Sequence, residues 1–528
     1  MTQILKSLAA STRKAGLSRR EFMTRASAVG IGAVAASSLY GRMAMAQEPV
    51  KGGTLRMGLG GGSSTTSLDP ALAASQVPFH IIRTFGEQLI EVNADGSLNP
   101  RLAESFEASE DAMTWRFNIR EGVTFHDGQP LTPEDVRQTL LRHSDEDSQS
   151  GALGIMRGIS DIQVDGNAVV ITVDTPTADL PYLLSDFHLV IQPGGGREDP
   201  TAGVGTGAYR IVAAEPGVRY SFEKFEDYWD ESRGHFDTIE MTIINDATAR
   251  NAALQSGQVD LVNQVAPRVA TLLDRAPNIT VDHVAGRGHY VFIMQCDQAP
   301  FDNKDLRNAL KYAINREEMV DKILRGYGSV GNDFPINETY PLFDETIEQR
   351  SYDPEKAAEL YKASGHDGSP IILRVAETAF PGAVDAAQLF QQSAQAAGIP
   401  LEIKREPDDG YWSDVWNKAP FCASYWDGRP VQDQMYTTAY LSTADWNDTN
   451  FDNAEFDELL IAAKGELDQE TRKEQYSQMA QILREEGGLI CPMFNEFVQA
   501  YSTDVQGWEE NGVFELMNGL APVKCWKA

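Results

Sequence analysis

The sequence predicts a mixed α/β protein with more than one lobe, on the evidence of its length and of the way its strands and helices alternate. Its 528 residues exceed the roughly 250 to 300 residues that a single hydrophobic core supports. In the second half, amphipathic helical stretches alternate with short apolar strands, a pattern typical of an open α/β lobe. Neither an internal repeat nor a low-complexity tract interrupts this order.

The chain is strongly acidic, with 45 basic against 77 acidic residues and a net charge of −32. Such a charge repels nucleic acids and anionic lipids, so a nucleic-acid-binding function is excluded. Most of these carboxylates are typical of exposed helix faces and indicate solubility rather than a site.

The first 46 residues differ in composition from the rest. They contain seven basic residues and one acid, Glu21, so the remainder carries a net charge of −38. Ser18–Met23 contains paired arginines and precedes a 14-residue apolar run, Ala26–Leu39. This resembles a twin-arginine signal, and the run is shorter than the ~20 residues of a membrane anchor. We expect cleavage after Ala46 and a mature protein free in the periplasm.

In the first half, local patterns predict several elements. Thr132 precedes Pro133 and acidic residues, which is typical of a capped helix start. Apolar residues from Ile81 to Ile90 have helical spacing. The glycines of Gly60–Ser64 lack the lysine of a phosphate loop and predict a turn. Strands are expected at Gly52–Leu59, Thr114–Arg120 and Ala168–Val173, and a boundary or exposed connection at Pro193–Gly196.

In the second half, three helices and two strands are expected. The helices are Leu306–Leu324, Pro354–Ser364 and Asp385–Ala397, and the strands are Ile371–Val375 and Leu401–Lys404.

Four cysteines, Cys296, Cys422, Cys491 and Cys525, remain in the mature chain. An oxidising compartment favours disulfides, and four cysteines allow three pairings. Cys422 with Cys491 is the preferred pair, because both lie in apolar runs that read as neighbouring strands; buried free thiols are the alternative. No histidine spacing indicates a zinc site.

An exported enzyme is a competing hypothesis. The sequence contains no Gly-x-Ser-x-Gly, His-Glu-x-x-His or Cys-x-x-Cys motif and no cofactor fingerprint. Neither catalytic residues nor a cofactor are therefore predicted.

Several blocks carry a resemblance to a known family. They are Ser67–Pro70, Pro100–Phe106, Trp115–Thr132, Gly205–Tyr209, Pro300–Asn303, Leu306–Leu310, Ala313–Arg316 and Ile490–Phe494. In this order, and above all in the continuous block Trp115–Thr132, the chain resembles the extracellular solute-binding proteins of family 5. These are the peptide-, opine- and nickel-binding components of ABC importers.

The resemblance implies a two-lobed periplasmic binding protein fold with an extra small inserted domain and a hinge between the lobes. Residues 47–85, 205–285 and 500–528 would form domain I. Residues 86–204 would form the inserted domain, and 286–499 domain III, the second ligand-binding lobe. A monomer is implied that needs no cofactor and delivers a peptide or small solute to permease subunits with cytoplasmic ATPase subunits.

The resemblance also indicates where the ligand would bind. In peptide-binding members, a Trp-x-Gly-Asp block uses its aspartate to hold the peptide ammonium. Here the aligned residues are Trp426, Asp427, Gly428 and Arg429. An arginine is matched to a carboxylate or sulfonate, so an anionic or N-blocked ligand is expected, such as an N-acyl amino acid, an N-acyl sulfonate or an opine-like conjugate.

Alternatives stay open at this point. Arg429 could instead pair with Asp427 or Asp433 under a shifted alignment, and the ligand would then be an ordinary dipeptide or oligopeptide. Tyr425 and Trp426 are further ligand-binding candidates, although aromatic clusters are more often core.

Arg287 and His289 are lower-ranked candidates, with a satisfied hinge arginine and a solvent-exposed histidine as the alternatives. Nickel import is disfavoured, because the sequence contains no histidine-rich tract. A receptor or chaperone function is a further alternative.

Overall fold

The computed structural model describes residues 49–528, except residues 63, 74–75, 146–147, 408–410 and 445. The predicted signal sequence and its cleavage site therefore lie outside the described residues, as does Ser63 of the predicted glycine-rich turn. The rest of that turn is non-helical and follows directly on the first strand.

The described chain alternates strands and helices, as the sequence predicts. The strands are β1 (Thr54–Leu59), β2 (Ile90–Val92), β3 (Leu98–Pro100), β4 (Ala103–Ala108), β5 (Thr114–Ile119), β6 (Ile159–Asp165), β7 (Ala168–Val173), β8 (Tyr209–Glu215), β9 (Arg219–Lys224), β10 (Thr238–Ile243), β11 (Leu261–Val262), β12 (Ile279–Met294), β13 (Gly328–Val330), β14 (Ile371–Val375), β15 (Leu401–Arg405), β16 (Phe421–Trp426), β17 (Leu489–Ser502), β18 (Val505–Gln506) and β19 (Trp526–Lys527).

The helices are α1 (Gln76–Phe85), α2 (Pro133–Ser144), α3 (Leu153–Met156), α4 (Leu180–Leu183), α5 (Ala247–Gln255), α6 (Pro267–Leu273), α7 (Lys304–Tyr312), α8 (Arg316–Lys322), α9 (Pro354–Ala363), α10 (Ala383–Ala396), α11 (Tyr411–Asp414), α12 (Gln432–Ala439), α13 (Ala454–Gly465), α14 (Gln469–Glu486), α15 (Glu515–Asn518) and α16 (Ala521–Lys524). No helix in the described residues has the length and apolar content needed to cross a membrane.

An 11-stranded sheet joins the two lobes, in the order β15-β14-β16-β12-β17-β11-β1-β10-β9-β8, with β13 paired to β17. The long antiparallel strands β12 and β17 cross between the lobes, and their register shifts between Ala285 and His289. Gly286 and Gly288 lie within this shift. An interrupted ladder with two glycines gives the crossing strands a natural hinge.

Separate apolar clusters define the parts of the molecule. One cluster lies within residues 55–85, 190, 208–261 and 505–525, with a smaller one around α5, α6 and residues 498–500; these form the first lobe. A cluster within residues 89–191 packs on the antiparallel sheet β4-β5-β7-β6 of the inserted domain. The largest cluster, within residues 291–494, fills the second lobe. The fold is the two-lobed one with a small inserted domain.

Elements with strong local signals agree with their predictions. The Thr132 hydroxyl accepts a hydrogen bond from the Asp135 N–H, and the Asp135 carboxylate accepts one from the Thr132 N–H, forming a complete capping box. Strands β5, β7, β14 and β15 fall where alternation predicts them. Strand β1 and helices α9 and α10 also lie where they are predicted, within two residues at each end. Pro193–Gly196 forms a short 3-10 helix in which Gly195 and Gly196 are buried, so this connection is not fully exposed.

Two predicted helices are wrong in their bounds. The helix expected at Ile81–Ile90 is α1, which begins earlier and ends at Phe85. Gly86 follows it where an added Cβ would overlap the Val190 side chain. The helix expected at Leu306–Leu324 is two helices, α7 and α8, because the Asn315 side chain caps a new helix by accepting from the Glu318 N–H.

The predicted Cys422–Cys491 disulfide is also wrong, because all four cysteines are free thiols. Cys422 lies on β16 and Cys491 on β17, and β12 lies between these strands. Neighbouring strands are about 4.8 Å apart, so strands separated by a third are about 9.6 Å apart. That separation exceeds the roughly 7 Å limit between Cα atoms in a disulfide.

Candidate ligand-binding site

The site candidates gather at the carboxyl end of a parallel sheet. Strands β14, β15 and β16 are parallel and end at Val375, Arg405 and Trp426. In open α/β sheets, ligands bind in the crevice at the carboxyl ends of the strands. The predicted segment Tyr425–Arg429 is the end of β16 and the loop that follows it. It lies against the β12 hinge, where His289 is the direct neighbour of Trp426.

Arg287 fixes the loop after β16. Its guanidinium donates to the backbone oxygens of Thr339 (3.2 and 2.8 Å) and Pro430 (2.8 Å), and it lies 5.0 Å from the ring centre of Tyr340. A Cβ at Gly428 would overlap Arg287, so the two backbones touch. Arg287 is buried, and burial lowers its pKa. It is a satisfied hinge arginine that positions the loop.

Arg429 is held by its backbone and leaves part of its guanidinium unpaired. Its N–H donates to the Tyr340 hydroxyl at 3.0 Å, and its Nη1 donates to the backbone oxygens of Asp427 (3.0 Å) and Gly428 (3.4 Å). Within the described residues, neither Nε nor Nη2 has a hydrogen-bond partner, and Arg429 forms no ion pair with Asp427 or Asp433. The alternative pairings with these two acids are therefore not formed.

Asp433 lies elsewhere, on α12. It is buried close to Lys464, Asp179 and Arg472 at the contact with the inserted domain, and burial raises its pKa to about 6. Asp433 thus belongs to an interface between the inserted domain and the second lobe.

Asp427 and Tyr425 are the exposed members of the segment. Asp427 is open to water, yet the protein around it raises the pKa of its carboxyl, while the charge of Arg429 acts in the opposite direction. Such an open carboxyl surrounded by protein is typical of a cleft wall. Tyr425 is 41% exposed and lies opposite Tyr290, whose ring stacks on Phe380 at 4.5 Å.

Trp426 and His289 are both buried on the opposite face of the sheet from Tyr425. The predicted alternative of a solvent-exposed His289 is wrong. Its Nδ1 lies 3.1 Å from the Arg287 carbonyl oxygen, which can only accept, so Nδ1 carries the proton. Burial lowers the pKa of His289 to about 4, so the ring is neutral at pH 7.

Two further residues shape the site and have no sequence motif. Tyr340 is buried and accepts from the Arg429 N–H, 89 positions away. Asp448 is fully buried and its Oδ2 accepts from the Trp426 indole N–H at 3.2 Å. Only the fold brings these residues to the β16 loop, so no local pattern identifies them.

The inserted domain closes onto the second lobe. The Arg472 guanidinium on α14 pairs with both carboxylate oxygens of Asp179, which stands directly before α4. Beside this pair, the Ala178 N–H donates to the Lys464 backbone oxygen at 2.8 Å. The two bodies are therefore in direct polar contact beside the candidate site.

A small pocket elsewhere is lined by charged residues of the first lobe and inserted domain, among them Arg101, Glu87, Arg233 and Glu91. Arg101 pairs with Glu87 at 2.7 Å and Arg233 pairs with Glu91 at 2.7 Å. Because these charges satisfy one another, this pocket is structural. Among the described residues, no three His, Cys, Asp or Glu side chains are grouped so that they could hold a metal ion.

Comparisons with known proteins place the chain in a family. The model for bacterial extracellular solute-binding proteins, family 5 Middle, matches residues 97–448, which is two thirds of the chain. The chain belongs to this family. The glutathione-binding protein GsiB of Escherichia coli K12 is 25% identical over 467 residues, covering 85% of this chain and 90% of GsiB.

Two solved structures are similar in fold. The binding protein AgaA from A. tumefaciens R10, in complex with agropinic acid, gives a TM-score of 0.73 at 23% identity. The periplasmic binding protein DppA from Helicobacter pylori, in complex with the peptide STSA, gives 0.72 at 22% identity. Each covers 90% of this chain and 99% of the other. Members of this family are periplasmic solute-binding proteins that bind small ligands or peptides and work with ABC permeases.

Proposed function

We propose that this protein captures a small anionic or N-blocked solute, such as an N-acyl amino acid, an N-acyl sulfonate or an opine-like conjugate, and delivers it to an ABC permease. The ligand's anion would bind Arg429 between the two lobes. Closure about the hinge in β12 and β17 would then signal occupancy to two permease and two ATPase subunits. Export by the twin-arginine signal, with cleavage after Ala46, belongs to the same proposal.

The partly unpaired guanidinium of Arg429 carries this proposal. Arg287 and Tyr340 fix the loop backbone, and the Nη1 bonds to the Asp427 and Gly428 backbone oxygens hold the guanidinium in place before a ligand arrives. A pre-positioned planar donor suits a carboxylate or sulfonate and repels an ammonium. Glutathione and agropinic acid, named for GsiB and AgaA, are both anionic at neutral pH, which is consistent with such a ligand.

Asp427 supports a second candidate, an ordinary dipeptide. Its carboxyl is exposed and does not pair with Arg429 among the described residues. A free dipeptide could place its ammonium on Asp427 and its carboxylate on Arg429. The two candidates differ in whether the ligand needs a free amino group.

A thermal-shift screen of residues 47–528 separates these candidates. The panel contains N-acetylglycine, N-acetyl-L-phenylalanine and N-acetyltaurine, with glycyl-L-phenylalanine as the free dipeptide. A ligand at a hundred times its Kd stabilises the folded protein by about 2.7 kcal/mol. Stabilisation by the N-acetyl compounds supports the proposal, whereas stabilisation by the dipeptide alone contradicts it.

The domain boundaries are part of the proposal as well. Residues 47–85, 205–285 and 500–528 would form domain I, 86–204 the inserted domain and 286–499 domain III. The separate apolar clusters support this division. Proteolytic fragments cut near residues 205 and 286 would test the boundaries.

A further inference from the structure

A buried carboxylate ties together two tryptophans beside the candidate site. Asp448 is fully buried, and its Oδ2 accepts hydrogen bonds from the indole N–H groups of Trp416 (3.1 Å) and Trp426 (3.2 Å). Trp426 ends β16, and Trp416 follows α11 after β15. Asp448 therefore joins the end of β16 to the segment that precedes this strand.

These two tryptophans support a third that faces solvent. The Trp446 ring centre lies 6.2 Å from that of Trp416, at 88°, and 6.1 Å from that of Trp426, at 48°. Trp446 is 53% exposed, whereas Trp426 is buried. A large aromatic ring that stays exposed on a rigid aromatic base is typical of a surface that binds an apolar group.

We propose that Asp448 is a positioning residue of the binding cleft, which fixes Trp416 and Trp426 so that Trp446 presents its ring to an apolar or aromatic part of the solute. This inference rests on the proposed function, because Trp426 stands three residues before Arg429 on the same strand end. It narrows the solute class to an anion that carries an apolar or aromatic group.

The charge state of Asp448 should control this arrangement. An ionised oxygen accepts the two indole N–H bonds more strongly than a neutral one. Burial, however, raises the pKa of Asp448 to about 7, and Oδ1 has no hydrogen-bond partner within the described residues. Among the described residues, the titratable groups close to Asp448 are the Cys422 thiol and the Tyr440 hydroxyl, and burial raises the pKa of each far above neutrality. Of these three described groups, only Asp448 therefore changes charge between pH 5 and 9.

A ligand-free experiment tests the positioning role. Near-ultraviolet circular dichroism and tryptophan emission of residues 47–528 are followed from pH 5 to 9 in the wild type and in Asp448→Asn, which keeps an accepting oxygen but cannot ionise. The wild type is expected to change with a midpoint near pH 7, and the variant to show no such change.

Glu515→Gln is the matched control, because burial raises the pKa of Glu515 to about 7 in the first lobe. This control should keep the wild-type tryptophan transition. A transition that persists in Asp448→Asn would overturn the inference. Far-ultraviolet circular dichroism confirms that each variant is folded.

A second measurement tests the ligand side with two probes that share an anion, N-acetyl-L-phenylalanine and N-acetylglycine. The wild type should bind the phenylalanine derivative at least about tenfold more tightly, since a buried ring contributes that much. In Trp446→Ala and Asp448→Leu the ratio of the two Kd values should fall toward one, because the aromatic derivative loses more affinity than N-acetylglycine does.

The outcomes separate the two levels of the proposal. N-acetylglycine binding without a preference for the aromatic derivative would overturn this inference and leave the proposed function standing. If Asp448→Leu lost affinity equally for both probes, the role of Asp448 would be purely structural, and this inference would also be overturned. Failure of both probes to bind the wild type would overturn the proposed function, together with the ligand part of this inference.

Discussion

The buried ion pair between Asp179 and Arg472 should hold the inserted domain and the second lobe together. Arg472 Nη1 lies 2.8 Å from Asp179 Oδ1, and Nη2 contacts Oδ2, so the pair is bidentate. The side chains are 9% and 5% exposed. We expect Arg472→Ala to weaken closure, because it leaves Asp179 uncompensated in the closed contact.

The magnitude follows from burial. Removing one partner of a buried pair costs about 3 to 5 kcal/mol when the remaining charge stays buried. Here the two bodies can separate and hydrate Asp179, so part of that cost appears as opening. A loss of at least about 1.4 kcal/mol, which is tenfold in Kd, is therefore expected for any ligand that needs closure.

The assay is isothermal titration calorimetry with the N-acetyl compound that binds in the screen, combined with small-angle scattering of the ligand-free variants. Lys473→Ala is the matched control on the same helix. Its pair with Glu345 is 3.3 Å long and exposed, and it should contribute less than about 1 kcal/mol. Asp179→Ala/Arg472→Ala should recover much of the loss. If Arg472→Ala behaved like Lys473→Ala, or the double variant were no better than the single one, the pair would not hold the contact.

Three further predictions concern the loop, the pH response and the cysteines. Gly428→Ala forces a methyl group into Arg287, so it should lower stability by about 1 to 3 kcal/mol and weaken anion binding; unchanged melting and affinity would show that the loop adapts. Burial raises the pKa of Glu515 from 4.5 to about 7, so its contribution to stability is present at low pH and is lost as pH rises through that range. The melting temperature of Glu515→Gln relative to the wild type should therefore increase between pH 5 and pH 8, and a constant difference would contradict this. Thiol titration of the denatured, unreduced protein should count four free cysteines. A count of two or none would show that the protein contains one or two disulfides.

How much of the fold was predictable depends on how local the determining contacts are. The start of α2 was predictable, because Thr132 and Asp135 cap each other within one turn. The break between α7 and α8 carries a local signal in Asn315 that the longer apolar periodicity obscured. The order β16-β12-β17 could not be read from the sequence, since it depends on pairings between distant strands, and the disulfide prediction was wrong for that reason.

The site shows the same division. The resemblance directed attention to Arg429, and the fold brings Arg287 and His289 to the same strand end. Sequence alone could not show whether the Arg429 guanidinium forms an ion pair with the Asp427 carboxylate. The answer depends on which backbone oxygens the guanidinium reaches, and here it reaches that of Asp427. Tyr340 was not foreseen either, since it acts across 89 positions.

Binding of N-acetyl-L-phenylalanine and glycyl-L-phenylalanine to the wild type, Arg429→Ala and Asp427→Asn, measured by isothermal titration calorimetry, tests the central claim most directly. Arg275→Ala, an exposed arginine of the first lobe, is the control. Arg429→Ala should weaken the N-acetyl ligand by about 1.5 to 3 kcal/mol, the range for hydrogen bonds to a charged group, while Asp427→Asn and Arg275→Ala leave it unchanged. Tight binding of the dipeptide alone, lost in Asp427→Asn and retained in Arg429→Ala, would contradict the account.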